Sequence, residues 1–219
     1  MELSFPLLFA AIVGFGHAFE PDHLVAVGNI VTKRNKFKLA IIDGIYWGLG
    51  HASTIFLIGF LMIVGKSTFL NGYFGYLEAG VGLMLIFLGV YRLYKYYEEK
   101  KQIAILKKHQ DHASNLLERS DPKENHHLAY GVGLIHGLAG SGAMILVVMT
   151  EVKGTLNNML YLLIFGIGSV VGMMLAAGIF SLPFSKKISK NDNVYFGLVL
   201  LSSLLCISFG AYVVFANLT

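Results

Sequence analysis

The chain has 219 residues, of which 55% are hydrophobic and 14% are charged, and its mean hydropathy is +0.65. This composition is too apolar for an ordinary soluble domain, and the formal net charge of +4 does not call for nucleic acid, because the basic residues cluster between apolar stretches. The single cysteine, Cys206, excludes a disulfide framework, a thiolate metal cluster or a membrane thiol carrier within one chain, since each needs at least two cysteines.

Six apolar stretches follow one another along the chain, at about 5–31, 39–65, 73–97, 128–150, 156–183 and 194–216. Each is longer than the roughly 20 residues that a membrane-spanning helix needs. The N-terminus lacks the basic region of a secretory signal peptide, so the first stretch is predicted to be a retained span. The pattern predicts an all-α membrane protein with six transmembrane helices in contact with lipid.

The first stretch carries four ionisable side chains in the segment Gly16-His17-Ala18-Phe19-Glu20-Pro21-Asp22-His23. Ionisable groups at membrane depth are costly and usually mark a substrate or ion path. Pro21 removes a backbone donor and clashes with the preceding turn, so we predict that the first helix is broken near Pro21. On an unbroken helix His17 and His23 would point about 240° apart, so only a break can bring their side chains together.

The loops between the apolar stretches predict an orientation. Their numbers of Lys and Arg residues alternate as 4, 1, 8, 1 and 3. Because positively charged loops stay in the cytoplasm, the first, third and fifth loops are predicted to be cytoplasmic. Six spans then put both termini outside the cytoplasmic membrane.

The third loop divides the chain into three parts. These are a first three-helix membrane repeat (1–97), a cytoplasmic linker that contains histidines (98–127) and a second three-helix repeat (128–219). One interpretation is that the linker collects metal ions, and the alternative is a solvated linker whose histidines have no role. The residues concerned are His109, His112, His126 and His127.

The two halves resemble each other in sequence. Val13–Ala18 aligns with Val132–Gly137, and Gly48–Ser53 aligns with Gly166–Val171, so that His17 pairs with His136. Three helices per half is an odd number, so the second repeat would be inverted relative to the first. Transporters built in this way hold their substrate site near the membrane midplane, between the repeats.

Four histidines lie in the predicted spans, and two of them are close in sequence to Asp22. A metal site is therefore predicted from His17, Asp22, His23, His51 and His136. Glu20, Asp43 and Ser141 are candidates for the transport path. Imidazole ligands suit nickel, cobalt, zinc, copper and iron, and the lack of thiolates and of methionine pairs disfavours copper(I).

Three segments carry a resemblance to a known family. The pattern His17-x4-Asp22-His23 resembles the signature of the nickel/cobalt transporter family. The segment Gly48–Thr54 is similar to that family's next-helix motif, Leu-Gly-His-Ser-Thr, with Ala52 inserted, and His136–Ala143 resembles a motif of the shorter, UreH-like urease-accessory branch. The chain lacks two of the eight spans of the longer members.

The resemblance implies movement of Ni²⁺, with Co²⁺ as a second substrate, across the cytoplasmic membrane. It implies that His17, Asp22 and His23 are required for transport, and it extends to His51. Uptake is the expected direction, and a metal exporter of the same superfamily is an alternative. A second alternative is a membrane protein that delivers metal to urease or hydrogenase maturation proteins.

A haem protein with two histidine ligands is a third alternative, from another functional class. We expect no enzymatic activity, because the chain has neither the His-Glu-x-x-His spacing of metalloproteases nor a Walker-type nucleotide motif. No resident cofactor is expected, since the metal ion is substrate.

Overall fold

The computed structural model describes residues 4–34, 36–65, 74–108, 126–139, 154–184 and 192–218. Within these ranges all regular structure is helical, which confirms the all-α prediction. The helices are α1 (Ser4–His17), α2 (Pro21–Val31), α3 (Phe37–Gly65), α4 (Phe74–Lys108), α5 (His127–Ala139), α6 (Thr155–Ser181) and α7 (Asp192–Leu218), with a 3₁₀ turn at Leu182–Phe184.

In the described part of the chain, four helices are long and apolar enough to cross a membrane: Phe37–Ile63, Gly75–Gln102, Thr155–Phe184 and Asn193–Leu218. They correspond to the apolar stretches predicted at 39–65, 73–97, 156–183 and 194–216. Their outer faces carry exposed Leu, Phe and Val side chains, such as Phe87, Leu163 and Leu201. Large exposed apolar surface of this kind suits lipid rather than water, so the chain is a multi-pass membrane protein.

The first predicted span is two helices, as the position of Pro21 indicated. Helix α1 ends at His17, and Pro21 is the first residue of α2, where its fixed φ and missing N–H are tolerated. Between them the backbone N–H of Phe19 donates to the carbonyl of Gly16 (2.9 Å), and that of Glu20 donates to His17 (3.1 Å). With 14 and 11 residues, neither helix alone reaches the length of a span.

Two other predicted boundaries differ from the observed helices. Helix α4 continues to Lys108, so the first part of the predicted linker is an extension of the third span. Helix α5 occupies the first part of the predicted stretch 128–150, and residues 140–153 lie outside the described ranges.

Glycines let α3 and α5 pack with their backbones in contact. A Cβ on Gly133 would overlap the carbonyl oxygen of Trp47, and a Cβ on Gly137 would lie 2.5 Å from that of His51. The residue numbers of the contacting positions increase in the same direction along both helices, so α3 and α5 run parallel. Helices α1 and α6 are parallel on the same criterion, through the contacts of Gly168 with Ala11 and of Gly172 with Phe15.

Two other close helix pairs are antiparallel. In α4 and α7, a Cβ on Gly82 would lie 2.6 Å from the carbonyl oxygen of Gly210, and a Cβ on Gly210 would lie 2.5 Å from that of Gly82. Further along α4, Gly89 contacts Ser203, so residue numbers increase along α4 as they decrease along α7. Helices α3 and α6 also run antiparallel, through the contacts of Gly44 with Met173 and of Gly48 with Val170.

The C-terminal end of α2 is held by a buried arginine. The Nε of Arg92 donates to the Thr32 hydroxyl (2.5 Å), and its Nη2 donates to the Tyr195 hydroxyl (2.7 Å). The Tyr195 hydroxyl in turn donates to the Thr32 carbonyl (3.0 Å). A cation at a helix C-terminus interacts favourably with the helix dipole and with the free carbonyls there, so Arg92 fixes the position of this half-helix.

A second buried arginine joins the two halves of the chain. Arg34 donates from Nε and Nη2 to the two carboxylate oxygens of Asp43 (2.5 and 2.8 Å), and the Nδ1 of His126 lies 2.6 Å from the same carboxylate. Nearby Lys33 is half-buried, and this burial lowers the pKa of its ammonium group. The end of α2, the start of α5 and the start of α7, which carries Tyr195, therefore lie on one face of the molecule.

Candidate metal centre

Four histidines from four helices meet in the interior. His17 is the last residue of α1, His23 lies in the first turn of α2, His51 lies in the middle of α3, and His136 lies in the last turn of α5. Their exposed fractions are 5%, 0%, 0% and 0%. The structure therefore brings together every histidine that the sequence predicted for the metal site.

The rings lie in direct contact around His23. Ring centroids of His23 are 4.6 Å from those of His17, 5.1 Å from those of His51 and 4.6 Å from those of His136. His17 and His51 are also 5.2 Å apart. The break before Pro21 makes this possible, because a turn at residues 18–20 interrupts the helix between His17 and His23.

Asp22 supplies the carboxylate of the cluster. Its Oδ1 lies 3.1 Å from the Nδ1 of His23, and its Oδ2 lies 3.4 Å from the Nε2 of His136. A carboxylate that bonds one nitrogen of an imidazole fixes its tautomer and leaves the other nitrogen free for a metal ion. Glu20 plays a similar part for His17, whose Nδ1 lies 2.9 Å from the Glu20 carboxylate.

Several imidazole nitrogens in the cluster are buried without a hydrogen-bond partner. They are Nε2 of His17, Nε2 of His23, both nitrogens of His51, and Nδ1 of His136. Buried polar atoms almost always have a hydrogen-bond partner in proteins, and the exceptions often mark ion-binding or functional groups. The donors fall into two groups whose ligand atoms all lie within 4.8 Å of one another: His17, His23 and His51, and Asp22, His23 and His136. Both groups fit the first-row divalent metals that imidazole prefers.

Helix ends contribute little net charge here, so Asp22 decides the local potential. The C-terminus of α1 and the N-terminus of α2 face the cluster from either side of the break, and they carry opposite partial charges of about half an electron each. These nearly cancel. A formal negative charge at Asp22, with lone pairs from the buried imidazoles, makes the centre attractive to a cation.

Aromatic side chains close the centre. The Trp47 ring lies 5.5 Å from that of His23 and 5.8 Å from that of His136, and the Phe165 ring lies 5.5 Å from that of His17. Both aromatic residues are buried. The sequence analysis missed them, although Trp47 is the one tryptophan of the chain and stands four residues before His51.

The other residues predicted for a path or a collecting loop are placed differently. Asp43 is engaged by Arg34 and His126, eight residues before His51 on α3, which is about 12 Å along a helix axis. The ring of His126 also stacks on Tyr46 at 5.2 Å, and His127 is exposed at the start of α5. Ser141, His109 and His112 lie outside the described residues.

A family model described as the cytochrome c biogenesis protein transmembrane region matches residues 24–213. Over 196 residues the chain is 32% identical to the urease accessory protein UreH of Bacillus sp. (strain TB-90), which covers 84% of this chain and 80% of that protein. The chain belongs to this membrane-protein family as a UreH-like member. No solved structure matches it.

The family match begins just after His23, so it contains His51 and His136 but not the first part of the centre. The UreH-like part of the expected resemblance is confirmed by the identity to UreH. Membership of the UreH-like chain in the wider nickel/cobalt transporter family stays a prediction.

Proposed function

We propose that the chain is a secondary transporter that moves Ni²⁺, and Co²⁺ as a second substrate, across the cytoplasmic membrane in the direction of uptake. The observation that carries the proposal is the buried cluster of four imidazoles and the Asp22 carboxylate, with unpartnered nitrogens facing one another. A structural role alone would satisfy these nitrogens with hydrogen bonds to neighbouring helices. The proposal includes no catalytic step and no resident cofactor.

The similarity to UreH supports a metal-handling role. The relative is named a urease accessory protein, and the proposal takes from that name a link to nickel supply. The family model's description refers to cytochrome c biogenesis, but a thiol relay needs a pair of cysteines, and this chain has only Cys206. Haem is also a poor fit, because the imidazole rings touch one another and leave no slot for a porphyrin between them.

The proposal includes six spans arranged as two inverted three-helix repeats. The support for this arrangement is that helix contacts made by glycines in one half recur at the aligned positions of the other half. Gly14 of α1 packs on Phe165 of α6, and the aligned Gly133 of α5 packs on the aligned Trp47 of α3. The third helices of the two halves, α4 and α7, meet antiparallel at the reciprocal pair Gly82 and Gly210. Corresponding helices of the two halves therefore run in opposite directions, as an inverted repeat requires.

The orientation is proposed from the basic loops. Contacts of Thr32, Arg34, His126 and Tyr195 put the first loop and the ends of the third and fifth loops on one face. These are the loops rich in Lys and Arg, so we assign that face to the cytoplasm. The membrane repeats would then be 1–97 and 128–219, the cytoplasmic linker 98–127, and both termini would lie outside.

A second candidate is a membrane protein that hands nickel to urease or hydrogenase maturation proteins without transporting it. The name of the UreH relative, a urease accessory protein, favours this alternative. An exporter with the same centre is a third. These candidates differ in flux, not in the metal site.

The test is metal flux into liposomes that contain only this protein, with Ni²⁺, Co²⁺ and Zn²⁺ compared. We expect saturable Ni²⁺ entry that the His17→Ala variant loses. A Ser202→Ala variant serves as control, because its hydroxyl bonds only within α7, to the Val199 carbonyl (3.2 Å). Absence of flux for every metal, from protein shown to be folded, would reject the transporter and favour the delivery role.

A further inference from the structure

We propose that the buried centre is two overlapping metal stations that share His23, and that a single transported ion steps from one station to the other. The proposal rests on the proposed transport function. Station one is the all-imidazole group of His17, His23 and His51, and station two is the mixed group of Asp22, His23 and His136. Each station offers three donor atoms within 4.8 Å of one another, which is the number that open metal sites in proteins commonly use.

The two nitrogens of His23 face different surroundings. Its Nδ1 lies 3.1 Å from Asp22, a member of station two. Its Nε2 is buried without a partner, while the rings of His17 and His51 lie 4.6 and 5.1 Å away. An ion in station one would therefore take Nε2, with Asp22 orienting the ring from the other side. An ion in station two would replace the Asp22 hydrogen bond at Nδ1.

Sharing a ligand has two consequences for the ion. Two divalent ions held by the same imidazole, in a poorly hydrated interior, would repel each other strongly, so the stations are filled one at a time. During the step the ion moves around one side chain that belongs to both stations. It is therefore never far from a ligand, and full rehydration inside the membrane is avoided.

Two of the ligands that belong to only one station, His17 and His136, lie on helices that enter the centre from opposite directions. Helix α1, which carries His17, runs parallel to α6, and α5, which carries His136, runs parallel to α3. Because α3 and α6 are antiparallel, α1 and α5 run in opposite directions and bring these two histidines to the centre from opposite ends. A step between the stations therefore exchanges His17 for His136 as ligand, whereas His51 lies on α3 and enters from the same end as His136.

The experiment uses the full chain in detergent micelles and Co²⁺ as the probe, because its visible absorption reports the number and type of donor atoms. The matched variants are His51→Ala and His136→Ala, which remove a fully buried imidazole from station one and from station two respectively. His51→Gln and His136→Gln repeat the comparison where an alanine variant does not fold. His23→Ala removes the shared ligand.

We expect each single variant to bind one Co²⁺ per chain with its own spectrum. His51→Ala would keep the spectrum of a carboxylate-containing site, and His136→Ala that of an all-nitrogen site. The wild-type spectrum would be a mixture of the two, and His23→Ala would weaken binding more than about 100-fold. In liposomes both single variants would hold the ion without passing it on.

A single shared site gives a different result. Both single variants would then lose affinity together and show the same spectrum, and that outcome would overturn the two-station proposal. The same conclusion follows if either variant keeps the wild-type spectrum and flux. The spectra are measured in micelles and do not depend on transport. If the proposed transport function fails, the wild-type protein shows no flux in liposomes, whatever its Co²⁺ spectrum. If only the two-station proposal fails, the spectra of the variants show it.

Discussion

The ring of His17 lies 4.6 Å from the ring of His23, although a continuous helix would point these side chains away from each other. The break between α1 and α2 produces this contact. It places the last residue of one helix beside the first turn of the next, so the seven residues His17–His23 supply two imidazoles and a carboxylate to one centre.

The first prediction concerns Pro21, which prevents α1 from continuing. Pro21→Ala restores the backbone donor and removes the ring that would clash with the His17 carbonyl, so a continuous helix becomes more favourable by about 3 kcal/mol. A continuous helix would separate the His17 side chain from that of His23. We therefore expect Ni²⁺ affinity, measured by equilibrium dialysis, to fall about tenfold or more. Pro6→Ala, in the first turn of α1 where proline is tolerated, is the matched control. Equal affinities for both variants would contradict the role given to the break.

Asp22 is predicted to be the most important carboxylate for binding. Asp22→Asn keeps the size of the side chain but removes the negative charge beside His23 and His136, so we expect Ni²⁺ binding to weaken by about 10- to 100-fold. Glu20→Gln should cost less, because the Glu20 side chain is 53% exposed and water already screens its charge. Competition with a metal-sensitive dye measures both. A larger loss for Glu20→Gln would show that the wrong carboxylate has been assigned.

The approach of α5 to α3 is predicted to depend on Gly133. A Cβ there would overlap the carbonyl oxygen of Trp47, so Gly133→Ala must push the helices apart and displace His136 from the centre. We expect a lower melting temperature and weaker Ni²⁺ binding. The control is Gly131→Ala on the same helix, where a Cβ meets nothing within 4 Å and the change favours helix by about 1 kcal/mol. Equal melting temperatures and equal Ni²⁺ affinities for the two variants would mean that close packing of these helices does not position the site.

The ion pair between Arg34 and Asp43 is predicted to matter for stability rather than for metal binding. Arg34→Ala leaves a carboxylate that is only 1% exposed without the two hydrogen bonds that Arg34 donates, which typically costs about 3–5 kcal/mol. Replacing both partners, as in Arg34→Met with Asp43→Leu, should be much less harmful. Denaturant unfolding in micelles measures both changes. A single variant as stable as the wild type would mean that His126 alone is sufficient for Asp43.

Much of the centre could be predicted from the sequence because its cause is local. A proline inside an apolar stretch breaks or kinks the helix. Histidines inside a membrane span are costly and usually mark a functional site. The partners of Asp43 could not be predicted in this way. Arg34 is near in sequence, but His126 comes from the far end of the linker, and only the packing of α5 on α3 brings it to Asp43.

The same limit explains the other surprises. Arg92 was counted as a loop residue for its charge, yet it lies inside α4 and is 4% exposed, because the end of α2 and Tyr195 supply hydrogen bonds there. Burial of Trp47 and Phe165 against the histidines likewise depends on which helices are neighbours. Periodicity along one helix contains no information on that choice.

The central claim is that the buried histidines bind the transported ion, and the most direct test is the nickel content of the purified full chain at equilibrium with Ni²⁺. The account predicts about one Ni²⁺ per chain for the wild type, and less than about a tenth of that for folded His23→Ala at the same free concentration. Equal nickel content in the two proteins would contradict it.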